Sequence, residues 1–260
     1  MNQKQTGLDI SIDATTMEFH YGPGVRGPKP EFRTLDAIRP SLLDPQCSGP
    51  SPVYSIAMDV RHPEDEEDLQ ARYLLFGVVA YAAGQLGQEP VRSQGHVHAI
   101  APHSGWSPPE LYEIWEGKAI VYAQEFATDD PGRCFAITAS PGDIVVVPPG
   151  WAHATVNADP SQRMVFGAWC DREYGFDYTG VRAHSGLAYY PLITENGSIE
   201  WAANHRYQAA GLVERASRPY PELGLNVTDP IYTQYHACPQ VVQWVSHPQL
   251  LADLWPHFEP

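Results

Sequence analysis

Gly142-Asp143-Ile144-Val145-Val146-Val147-Pro148-Pro149-Gly150-Trp151-Ala152-His153-Ala154-Thr155-Val156-Asn157 is the stretch on which the fold turns. An apolar strand enters a Pro-Gly turn, and a histidine stands just beyond it. Upstream, Ser93-Gln94-Gly95-His96-Val97-His98 sets two histidines at i and i+2. On a strand these project from one face and can share one ion. Glu110 comes next, and 111–116 alternates well enough to be the following strand, closed by Gly117. A lone histidine on an apolar strand is more often a hydrogen-bonded core residue than a ligand. His103 and Glu113 are further candidates for a carboxylate or imidazole position in the same region.

Working outward, short apolar runs separated by turns cover 53–60, 72–82, 110–126, 134–139, 143–148 and 163–169. With 25 prolines and 21 glycines the chain favours short connections over long helices. The expected class is all-β, a barrel or jelly roll. Residues 17–52 are rich in Pro, Gly and polar side chains, with a short helix around 35–43, and read as an arm lying over something else. The expected division is an arm at 1–52, a barrel at 53–185 and an extension at 186–260 that packs on the barrel. The extension should turn at 196–197 and 218–224 and carry short helices near 239–245 and 248–254. The acidic stretch 63–68 and the segment 128–133 read as solvated hairpin loops.

Thirty-one acidic against 16 basic side chains give a formal charge of −15. Such a surface repels phosphate backbones and anionic lipid, so neither nucleic acid nor membrane is an expected partner. Lysines are confined to Lys4, Lys29 and Lys118. An anionic small substrate therefore needs help from hydroxyls, backbone N–H groups or a metal. Cys47, Cys134, Cys170 and Cys238 form no CxxC pair and read as reduced thiols. The N-terminal residues lack a signal-peptide pattern, and the longest apolar run, 73–84, is too short for a bilayer, which makes the cytoplasm the expected location.

HxH, ExxxxxxG and GxxxxxPxGxxHxxxN together resemble the two motifs of the cupin superfamily. The resemblance implies a cupin jelly-roll (double-stranded β-helix) barrel in which His96, His98, Glu110 and His153 hold one divalent metal. Only Glu110 keeps the family spacing to Gly117, which ranks it above His103 and Glu113. The segment 99–109 is longer than cupins usually have and reads as a loop insertion at the barrel mouth. Imidazole and carboxylate ligands suit Fe²⁺ first, with Mn²⁺, Ni²⁺ or Zn²⁺ as alternatives.

Beyond the barrel, Glu110-Leu111-Tyr112, the Trp151-Ala152-His153-Ala154-Thr155-Val156-Asn157 core and Gly175-Phe176-Asp177-Tyr178 resemble the cupin-type glucose-6-phosphate isomerase family over roughly residues 30–200. That resemblance implies a sugar phosphate as the small-molecule partner, and contacts to it from Tyr54, Ser93, Gly95, Tyr112 and Tyr178. It implies a catalytic role for Glu110 as base, its pKa tuned towards neutrality by an apolar barrel, and for Tyr112 in positioning the sugar. A hydride shift is the alternative route. A homodimer is implied, with the arm serving the contact. Two departures remove polar groups: Phe176 stands where the family has histidine, and Val79 where a phosphate-contacting threonine falls. A related sugar phosphate is therefore compatible. An iron or manganese cupin oxygenase or decarboxylase, and a non-catalytic sugar-binding cupin, are the rival readings.

Overall fold

Leu74 to Tyr81 has no polar face, and every residue in it is buried. A strand reads that way when both faces of its sheet are covered, and the computed structural model shows what covers them. The structure describes residues 3–260, so the first two residues of the expected arm lie outside the described residues. In chain order the strands are β1 (Ile10–Ile12), β2 (Phe19–Tyr21), β3 (Glu31–Arg33), β4 (Tyr54–Met58), β5 (Leu74–Tyr81), β6 (Gln85–Leu86), β7 (Glu89–Pro90), β8 (Val97–His98), β9 (Glu110–Glu116), β10 (Ala119–Gln124), β11 (Cys134–Ala139), β12 (Ile144–Val147), β13 (Ala152–Asn157), β14 (Met164–Asp171), β15 (Phe176–Asp177), β16 (Tyr189–Ile193), β17 (Ile199–Ala203) and β18 (Leu212–Ala216).

Two sheets form the body. One runs β12-β9-β14-β5-β4-β3 and the other β13-β10-β11-β18. Pairing within them is antiparallel except between β11 and β18. This is a two-sheet jelly roll. The closed barrel expected from the sequence is corrected on one point: among the described residues the hydrogen bonds form two separate sheets, not a continuous ring.

Strand alternation divides the larger sheet between two cores. Leu75, Val79 and Tyr81 of β5, Tyr112 and Ile114 of β9 and Phe166, Ala168 and Cys170 of β14 face inward with Phe135 and Ile137 of the second sheet. The alternate residues Leu74, Phe76, Val78, Leu111, Trp115 and Trp169 face outward. There the arm (Leu8, Ile10, Phe19) and the extension (Ile231, Tyr232, Tyr235, Trp244) cover them. Trp169 is fully buried, stacks on Tyr232 at 5.3 Å and donates its Nε1–H to the Ile231 carbonyl at 3.2 Å.

Several boundaries differ from expectation for visible reasons. The run 110–126 is two strands, because Gly117 turns the chain at φ +75°, and a Cβ there would lie 2.5 Å from the Arg163 carbonyl oxygen. The acidic stretch 63–68 is not a solvated hairpin loop. Pro63–Asp65 is a 3-10 turn leading into the helix Glu66–Ala71, and Asp65 and Asp68 accept the hydroxyls of Tyr232 and Tyr235 at 2.7 and 2.8 Å. The extension adds a helix at Ile231–Ala237 that composition did not reveal, besides the 3-10 turns Pro239–Val245 and Pro248–Leu251. No helix among the described residues is long and apolar enough to cross a membrane.

Candidate active site and metal centre

His96 and His153 are brought together by the backbone. Each donates its N–H to the other's carbonyl, at 3.1 and 2.9 Å, a hydrogen-bonded antiparallel pair that faces two imidazoles inward. Their ring centroids lie 4.4 Å apart, and His98, two residues along, adds a third ring at 5.0 and 4.9 Å. Glu110 enters from the opposite sheet at the start of β9. Donor atoms of His96, His98, Glu110 and His153 all lie within 4.8 Å of one another, and the four can hold one metal ion.

Three observations fit these residues to a metal. His98 Nδ1 lies 2.8 Å from the Pro108 carbonyl and His153 Nδ1 lies 3.0 Å from the Trp151 carbonyl, which leaves each Nε2 free as a lone-pair donor. Those Nε2 atoms sit 3.4 and 3.3 Å from Glu110 Oε2. Two donors each about 2.1 Å from one ion stand about 3 Å apart, the same separation. His96 Nε2 is buried and has no hydrogen-bond partner, a costly arrangement unless something binds there. The loop 99–109 thus does more than lengthen the mouth. It carries Pro108, and Ser107 Oγ donates to the His98 carbonyl at 2.6 Å.

Both rivals for the carboxylate or imidazole position point elsewhere. Glu113 is an odd number of residues from Glu110 and faces outward, where Trp115 Nε1 and the Ile231 N–H donate to it at 2.7 and 3.3 Å. His103 bonds Asp171 at 2.8 Å and stacks on Tyr73 at 4.0 Å.

The electrostatics follow from this packing. Burial pushes the Glu110 carboxyl up, but the adjoining His153 and His98 rings outweigh it and, in the metal-free protein, hold the group well below the ordinary carboxylate range. Burial, with the neighbouring His153 and His98, drives His96 well down, so it stays neutral and ready to ligate. Burial also lowers His98, but the Glu110 contact reverses the direction. Tyr112 donates to Glu110 Oε2 at 2.5 Å, and Cys170 Sγ donates to Glu110 Oε1 at 3.0 Å. Burial and then the Glu110 charge raise both, keeping them protonated donors.

Around this centre lies a cavity walled by both sheets, the β8 segment and the arm. Tyr54, Ser93, Tyr112 and Tyr178 line it, as do Val79 and Phe176. Ser93 Oγ accepts the Thr155 N–H at 3.1 Å, Tyr54 stacks on Tyr81 at 4.9 Å, and Phe176 packs edge-on against His96 at 4.5 Å. Gly95 is not among the lining residues. It sits at φ +86°, with a Cβ position 2.8 Å from Leu187. Sequence reasoning missed Cys170, Tyr81, Thr155 and Arg33, all of which line the cavity. Thr155 was findable, since it shares a strand face with His153. Cys170 and Arg33 reach the site through pairings no spacing encodes.

The glucose-6-phosphate isomerase (GPI) family model matches residues 43–209. The chain belongs to this family. The glucose-6-phosphate isomerase of Pyrococcus horikoshii is 29% identical over 80% of this chain and 100% of its own length. Its counterpart in Pyrococcus furiosus is 28% identical over 71% of this chain and 91% of its own. That of Thermococcus kodakarensis is 26% identical over 79% and 98%. The fold is a two-sheet jelly roll. Among solved structures an oxalate oxidase aligns with TM-score 0.32 and 14% identity over 41% of this chain and 46% of that one. Outside the family match, residues 3–42 and 210–260 of this glucose-6-phosphate isomerase family member include most of the arm and extension side chains that cover the outer sheet face.

Proposed function

We propose that this chain is a metal-dependent isomerase that interconverts glucose 6-phosphate and fructose 6-phosphate, or a closely related aldose–ketose pair. The observation that carries the reading is a cavity with two chemically different poles. At one, His96, His98, Glu110 and His153 converge with Tyr112 and Cys170. At the other, Ser93 Oγ accepts the Thr155 N–H at 3.1 Å, and Tyr81 lines the same wall. His153 and Thr155 are two residues apart on one strand face, about 7 Å. That span suits a hexose with its carbonyl carbons at the metal pole and its phosphate among the hydroxyls.

When bound, a divalent ion supplies Lewis-acid polarisation of the sugar carbonyl, and Fe²⁺ is the expected ion, with Mn²⁺, Ni²⁺ or Zn²⁺ able to replace it. Glu110 is the proton carrier between C1 and C2. Its Oε2 is occupied by Tyr112 and the imidazoles, while Oε1 accepts only the weak Cys170 thiol and is the oxygen assigned to take the proton from one carbon and return it to the other through an enediolate. Tyr112 fixes the carboxylate, and Tyr54, Ser93 and Tyr178 orient the sugar phosphate. Burial of the ligands limits solvent access to the enediolate. The reading extends to a homodimer through the arm, whose β3 is the edge of its sheet with Phe32 41% exposed, and to the cytoplasm, which suits four free cysteines.

The test is to strip the protein with chelator, reload it with each of the four ions without dioxygen, and follow fructose 6-phosphate. Ion-dependent appearance of glucose 6-phosphate is the expected result. Stoichiometric ion binding with no turnover, or turnover that consumes dioxygen, overturns the proposal.

A further inference from the structure

Val79 and Phe176 present hydrocarbon, not hydrogen-bond donors, to the cavity. A dianion entering a chain of formal charge −15 needs a compensating cation. One is present. Among the described residues lining the cavity, Arg33 is the one Lys or Arg, and it comes from the arm, outside the family match.

Its placement is built, not incidental. Strand β3 pairs with β4 so that Arg33 lies directly opposite Tyr54, and Tyr54 lies opposite Tyr81. The guanidinium is therefore held in one row with the two tyrosines, close enough to Tyr54 and Tyr178 to act on both electrostatically. Its side chain is 27% exposed, shielded enough to strengthen its field but still open to the cavity. Nη1 donates to Glu31 at 2.9 Å, a partner that is 69% exposed and can turn to water when a stronger anion arrives. Five N–H donors in a fixed fork leave capacity for bidentate contact with phosphate. Lys29 and Glu31 border an adjoining hollow that shares Arg33, Tyr174 and Phe176 with the cavity. Behind Tyr178, Arg182 lies over the ring at 4.9 Å and donates to Gln94, holding the tyrosine in place.

Resting on the isomerase reading for its substrate, we infer that Arg33 is the phosphate-recognising residue of this site and fixes its specificity for phosphorylated over neutral sugars. The arm thereby becomes part of the active site. Arg33 touches the phosphate and not the reacting carbons, so its loss acts on binding.

The experiment compares wild type, Arg33→Gln and Arg33→Lys, all metal-loaded, in fructose 6-phosphate turnover and in inhibition by inorganic phosphate. The expected result for Arg33→Gln is a KM raised about 10- to 100-fold with kcat within about twofold. The inhibition constant for phosphate should rise in step, and Arg33→Lys should recover part of both. Unchanged KM and phosphate inhibition in Arg33→Gln overturn the assignment, as does an equal fall in kcat without a change in KM. Phosphate binding by calorimetry separates the two levels of the argument. If wild type turns over no sugar phosphate yet binds inorganic phosphate in an Arg33-dependent way, the isomerase reading fails and the anion site stands. If it binds no phosphate, the assignment of Arg33 falls.

Discussion

Replacing His96 by leucine separates a metal ligand from a core histidine without any assay of activity. In the metal-free protein His96 Nε2 is buried without a partner, and such an atom costs about 1–3 kcal/mol. Leucine removes that cost and fits the imidazole site less well against Phe176 and His153. The two effects oppose, so the chelated variant should melt within about 1 kcal/mol of chelated wild type. With free metal at 100 times its dissociation constant, wild type gains about 2.7 kcal/mol. For a chain of this size that raises the melting temperature by about 5–11 °C. His96→Leu should lose most of the gain. Scanning calorimetry of both proteins with chelator and with Mn²⁺ gives all four numbers. The reasoning is refuted if the variant keeps the full metal-induced rise, or if its chelated form falls by more than about 3 kcal/mol, which means the imidazole was already satisfied.

Tyr112→Phe removes the 2.5 Å hydrogen bond to Glu110 and should lower kcat about 10- to 100-fold, with metal stoichiometry by elemental analysis unchanged. Cys170→Ala removes the donor to Glu110 Oε1, and Cys170→Ser restores it. Steady-state kinetics should show kcat about tenfold down in the first and recovered in the second. Glu113 predicts a pH effect on stability. Burial pushes its carboxyl up to about 7 from an ordinary 4.5, outweighing the bonds from Trp115 and Ile231. The folded state therefore binds the proton more tightly, and the contribution is complete below pH 4.5 and lost as pH rises through 7, at most about 3 kcal/mol. Glu113→Gln should flatten that decline in urea titrations of the chelated proteins at pH 5 and 8, whereas parallel profiles sink the argument.

The metal pole was legible because its ligands sit at strand spacings. His96 and His98 share a face by alternation, and His153 follows a Pro-Gly turn that fixes where β13 begins. The same alternation, carried two residues further, places Thr155 in the cavity and Glu113 outside it. The strand boundaries failed where glycine geometry decides, as at Gly117, whose positive φ splits an apolar run in two. The acidic segment 63–68 misled because its charges are not solvated alone. Asp65 and Asp68 take hydroxyls from a helix more than 160 residues later. Arg33 and Cys170 were hidden for the same reason, since each reaches the site through a pairing between strands distant in sequence. Composition suggested that an anionic substrate is held without lysine, but net charge says nothing about where a single arginine is aimed.

The most direct test of the account is isomerisation of fructose 6-phosphate in D₂O by metal-loaded wild type and Glu110→Gln, without dioxygen. The account predicts wild-type glucose 6-phosphate carrying deuterium at C2 in those turnovers where the Glu110 proton exchanges before its return, and at most trace product from the variant with its metal content checked. Glu110→Gln turning over at the wild-type rate with its metal content unchanged contradicts proton transfer through Glu110 and with it the assigned chemistry of the site.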